Sequence, residues 1–167
     1  MLTMNWIAFL VASLVPLVVG AIYYNPKVLG NYWMKVADMS EEKIKSGNMP
    51  IIFLLSFVFS FFLSVSINFA VNHQFHVQSL LIEEPGLMDA STELGAWFKE
   101  FIENYGNNYR TFGHGALHGV LQAITFALPL IAINALFERK SWGYIFVHFG
   151  YWLISIAIMG GIICAWQ

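Results

Sequence analysis

Histidine is the side chain that titrates nearest neutral pH and the commonest metal ligand, and this chain carries 5 of them. His114 and His118 lie in Gly113-His114-Gly115-Ala116-Leu117-His118-Gly119, where a four-residue spacing puts both imidazoles on one helix face. His73 and His76 follow an earlier apolar run. If that run leaves the membrane where the later one enters, His73, His76, His114 and His118 share one depth. Four imidazoles so placed suit zinc, copper or nickel, which makes a divalent metal the one cofactor the sequence suggests. The plainer reading leaves His73 and His76 solvated and His114 at the headgroups. His118 also heads a line through Gln122 and Thr125 to Pro129. Such a line conducts protons or hydrates a pocket. Alternatively it only bonds helix to helix, at ~0.6 kcal/mol per bond.

A second polar set comprises Tyr24, Asn134, Glu138, Arg139, Trp142, His148 and Tyr151. It belongs to the opposite, inner side of the same segments, as a site or as an interfacial anchor with an aromatic belt. About fifteen residues of helix, ~20 Å, separate the two histidine groups, too far for the axial pair of one haem. There is no His-Glu-x-x-His zinc motif, phosphate loop, Gly-x-Ser-x-Gly elbow or Cys-x-x-Cys pair. Cys164, alone, excludes an intrachain disulfide. A net charge of −2 gives no electrostatic case for nucleic acid.

The elements that must position these residues are set by composition. Of 167 residues, 58% are apolar and only 11% charged, an excess that a soluble domain of this size cannot hide. Lipid is therefore the expected surroundings. Four runs approach the ~20 residues that cross a bilayer, at about 4–24, 51–71, 113–137 and 143–166. The expectation is an all-α, four-helix transmembrane bundle forming a single domain over 1–167. The first run is read as a retained anchor, because it lacks a basic lead and a small-residue cleavage site. Pro16 and Pro129 should bend their helices. Ser56, Ser60, Ser64, Asn68 and Asn72 recur every fourth residue, a row expected to face the bundle or to bond back to its own helix.

Between the second and third runs lies an outer insertion over about 72–112. Within it Leu94, Trp97, Phe98, Phe101, Ile102 and Tyr105 fall at amphipathic-helix spacing, with Asp89 or Ser91 as cap and Gly106 as stop. Ser40 should cap a brief helix before Gly47. The link 138–142 is short, so the last two runs should be antiparallel neighbours. Lys27, Lys35, Lys43, Lys45, Arg139 and Lys140 flank one side, against Lys99 and Arg110 on the other. Positive loops stay inside, so both termini and the insertion are expected outside, N-out and C-out.

The pattern Gly20-x-x-Tyr23-Tyr24-x-Pro26-x-x-Leu29-Gly30-x-x-Trp33 stands with Asn134-x-Leu136-Phe137-Glu138-Arg139, Gly150-Tyr151-Trp152-Leu153, Met159-Gly160 and Trp166. Together they resemble the small four-helix bacterial membrane proteins grouped as domain of unknown function 1761. The resemblance covers the first run with its following loop and the last two runs, and leaves out the acidic stretch 78–110. It implies four spans and a multi-pass protein of the bacterial inner membrane, and it brings no activity with it.

Three functions remain open on these residues. The leading expectation is a non-enzymatic oligomer or accessory subunit of a membrane complex, since small and polar stripes exceed what one bundle needs inside. The alternatives are a small channel or transporter along the third helix, and a histidine-based metal-binding protein or enzyme.

Overall fold

A computed structural model describes residues 2–166. It is 78% helix, with no strand among the described residues. The helices are α1 (Trp6–Tyr23), α2 (Asn31–Val36), α3 (Glu41–Lys45), α4 (Met49–Val71), α5 (Gln74–Leu81), α6 (Glu93–Tyr105), α7 (Phe112–Gln122), α8 (Leu128–Phe137) and α9 (Trp142–Ala165). A π turn over Pro26–Gly30 leads into α2, and another over Ala123–Ala127 joins α7 to α8 in one rod. Four helices are long and apolar enough to cross a membrane: Trp6–Tyr23, Met49–Val71, Phe112–Phe137 and Trp142–Ala165.

Their starts are dictated locally. Asn5, Asn48, Thr111 and Ser141 each accept a hydrogen bond from a backbone amide of the first turn, the donors that a helix leaves free. Ser40 caps α3 in the same way. In the insertion the cap of α6 is Thr92, whose hydroxyl accepts from the Gly95 amide at 3.0 Å. Asp89, expected as a cap, instead accepts from the amide and hydroxyl of Ser91 in the preceding turn. Both bonds hold its carboxyl below the usual range.

α9 is the centre of the bundle. Its Ile156, Met159, Ile163 and Cys164 pack with Phe9 and Ala12 of α1, Ile67 and Val71 of α4, and Ala123 at the π turn. The outward pattern is the reverse of a soluble protein's. On α4, Phe59 and Phe62 are 66% and 63% exposed while Ser60 and Ser64 are 4% and 0%. Ser56 is half-buried and Asn68 and Asn72 are buried, so the every-fourth-residue row faces protein. Ser64 also bonds back to the Phe61 carbonyl. Large apolar side chains on the outside suit a hydrocarbon solvent, which has no use for hydroxyls.

The closest approach is α7 against α9. A methyl group at Gly115 would overlap the Gly160 carbonyl, and one at Gly119 would stand 2.8 Å from the Ala157 Cα. Gly161 lies under the Phe112 ring. The small residues that suggested self-association are therefore used within the chain. Replacing Gly119 by Leu should force the two helices apart and cost about 3 kcal/mol or more. Reversible unfolding in mixed micelles measures this, with Leu117→Ala on the exposed side of α7 as the near-neutral control.

Candidate functional site

Three of the four histidines of the first set converge. Asn72 breaks α4 with φ −111° and ψ 87°, so the chain turns and His73 stands at the start of α5 beside α7. His114 and His118 project from successive turns of α7, whose first turn is fixed by Thr111. The Nε2 atoms of His73 and His114 are 3.1 Å apart. One ligating atom from each of His73, His114 and His118 lies within 4.8 Å of the others. The ring centroids are 5.2 Å (His73–His114), 4.8 Å (His73–His118) and 4.5 Å (His114–His118) apart. His76, expected as a fourth ligand, does not join the group: like His73 it is exposed, but its ring stands 6.5 Å from that of His73. The Tyr109 ring, on a residue at φ 63°, lies 5.2 Å from that of His114.

Those separations fit a metal. Nitrogens bound at ~2.05 Å to tetrahedral zinc lie ~3.3 Å from one another, close to the His73–His114 distance. The ligating atom of His118 lies within 4.8 Å of the other two. His73 already favours its neutral, ligating form: burial pushes its pKa down, and the neighbouring His114 and then His76 push it further.

The polar line of the third span stops short. Gln122 is half-buried and its Oε1 has no partner, but Thr125 is exposed and bonds the Leu121 carbonyl of its own helix at 2.7 Å. The π turn explains the difference. The Leu128 amide reaches back five residues to the Ala123 carbonyl, and this slip ahead of Pro129 turns Thr125 off the His118 face.

The second polar set is brought together in part. Tyr24 Oη is 3.2 Å from His148 Nδ1, and the Tyr24 ring lies 5.2 Å from those of Tyr151 and Trp33. Tyr151 donates to the Pro16 carbonyl at 3.1 Å, which ties α9 to α1 at the proline. A cleft of about 230 Å³ beside His148 is lined by Asn134, Glu138, Tyr144 and Trp152 among others. His148 Nε2 is buried there without a partner. Trp142 is exposed and stacks on Phe146, and Arg139, at φ 59°, is also exposed. Neither belongs to the cleft. Lys140, which also does not line the cleft, reaches Asp38 at 3.1 Å and lies over the Tyr144 ring. Tyr144 and Trp152, four residues before and after His148, share its helix face by spacing alone; Lys140, in the link, gave no such signal.

The architecture defines a class: a multi-pass helical membrane protein with polar clusters towards both ends of its bundle. The chain belongs to the family described as protein of unknown function (DUF1761), whose profile matches residues 7–164. The match runs through the acidic insertion, which the resemblance in sequence had left out. Searches of curated proteins and of solved structures each returned no match.

The Tyr24–His148 bond couples the phenol to the imidazole tautomer: with the phenol as donor to Nδ1, the His148 proton sits on Nε2. Tyr24→Phe should remove that preference at a cost of ~1 kcal/mol. The 15N shifts of the His148 ring report the tautomer, and a mixture of the two forms is expected in the variant.

Proposed function

We propose that this protein is a metal-binding protein of the bacterial inner membrane, holding one divalent transition metal on His73, His114 and His118. The observation that carries this reading is the convergence of three imidazole nitrogens within 4.8 Å from two separate parts of the chain. Three protein ligands leave a coordination position open, the arrangement of sites where a metal meets water or a small ligand rather than only bracing a fold. Imidazole donors favour zinc, copper and nickel over calcium or magnesium. The excess of Lys and Arg in the 27–45 and 138–142 loops supports an inside location for those loops, with both termini and the histidines outside.

An accessory or oligomeric role keeps less support, because Gly115, Gly119 and Gly160 are occupied by the α7–α9 contact. Conduction along the third span loses Thr125 as a waypoint.

Zinc or nickel should bind the purified, chelator-treated protein at one ion per chain. His118→Ala and His73→Ala should each weaken it by more than ~100-fold, since losing even an outer-shell partner of a ligand costs ten- to a hundredfold. His76→Ala should leave the affinity at pH 8 unchanged, because His76 touches the site only through its weak effect on the His73 pKa. Titration calorimetry in detergent with elemental analysis decides this; wild-type protein without bound metal would end the reading.

The pH dependence follows from His73. Its folded pKa is depressed, so protons compete with the metal only below the ordinary histidine value of about 6.5. Affinity should hold from pH 8 to about 6.5 and fall in more acidic buffer. The metal-free protein should lose stability over the same acidic window, because the unfolded chain takes up the proton first. Paired calorimetry and denaturation across pH 5 to 8 test both signs.

A further inference from the structure

A cavity of about 470 Å³ opens at the end of the bundle where α1 begins and α4 and α9 finish. That is within the usual size of small-molecule sites. No histidine lines it, so it is separate from the metal cluster. Asn68, in the last turn of α4, and Asn72, the residue that ends it, line the cavity and are each only 2% exposed. The Asn72 amide donates to Asn68 Oδ1. That bond leaves Asn68 Nδ2 and Asn72 Oδ1 buried with no partner. Buried amide groups without partners are rare, because each forfeits its bonds to water.

The two orphan atoms are a donor and an acceptor side by side. One hydroxyl satisfies both: its oxygen accepts from Asn68 Nδ2 and its proton goes to Asn72 Oδ1. Carboxylates and ammonium groups match only one of them. Arg110 and Glu103 both line the cavity, so its charges oppose each other and select no net charge in an occupant. Arg110 is moreover engaged, donating from Nε to the Cys164 carbonyl at 2.7 Å and from its guanidinium to Trp166 at 3.3 Å. Phe9, Phe75 and Ile163 supply an apolar wall for carbon.

We propose that this cavity binds a neutral hydroxylated group, a glycerol- or sugar-type moiety, seated on the Asn68–Asn72 pair. The moiety comes either from a lipid headgroup or from a free polyol, and the experiment separates these sources. The full-length protein in nanodiscs is titrated with 1-oleoylglycerol, and separately with free glycerol, while its thermal unfolding midpoint is followed. A saturable rise with 1-oleoylglycerol marks the lipid source; a saturable rise with glycerol alone marks the soluble one. Asn68→Leu with Asn72→Leu should abolish either rise, leaving only the non-saturating shift that any polyol gives as an excluded osmolyte. Asn68→Ala should require about tenfold more of the active probe. No saturable rise with either probe would show that the cavity holds water only and overturns the proposal. So would a wild-type response in the double variant. Should the double variant fail to fold, Asn68→Ala decides: an unchanged midpoint titration overturns the proposal and a weakened one upholds it.

Discussion

The arrangement depends on how closely α7 can approach α9. In lipid no hydrophobic force draws apolar helices together, so contact must come from shape and from close backbone approach. Gly115 and Gly119 let α7 lie directly on the Gly160 and Ile156 carbonyls. That contact leaves α7 little freedom to rotate about its axis. His114 and His118 each precede one of those glycines by a single residue, about 100° around the helix. Pressing the glycine face onto α9 therefore swings the imidazole face towards the end of α4, where His73 waits. Packing and ligand placement are one constraint.

Much of the fold was legible because the bilayer imposes simple rules. Four apolar runs of adequate length, capped by Asn5, Asn48, Thr111 and Ser141, could become little else. The row from Ser56 to Asn72 announced its inward face by composition alone. The π turn was not legible. Pro129 signals a disturbance, but nothing in Ala123-Ile124-Thr125-Phe126-Ala127 says that the slip falls ahead of the proline, around Thr125. A periodic reading assumes an unbroken period.

The sites were legible to different degrees. Helical spacing paired His114 with His118, and a depth argument brought His73 to them, but depth alone could not separate His73 from His76. That distinction rests on the sharp turn at Asn72. At the second polar set, composition favoured Arg139 and Trp142, both of which turn outwards. The link between α8 and α9 is closed by a left-handed Arg139, and this backbone choice presents Lys140 rather than Arg139 to Asp38. Loop geometry of this kind leaves almost no trace in residue type.

The central position of α9 bears on biogenesis. The ribosome makes this helix after every partner it touches, so α1, α4 and α7 exist before the surface that joins them. Until then the glycine notch of α7 stays open to lipid and Arg110 has no carbonyls to close upon. The three imidazoles meet across the end of α4 and α7 and include no residue of α9, whose docking only sets the rotation of α7 that aims two of them.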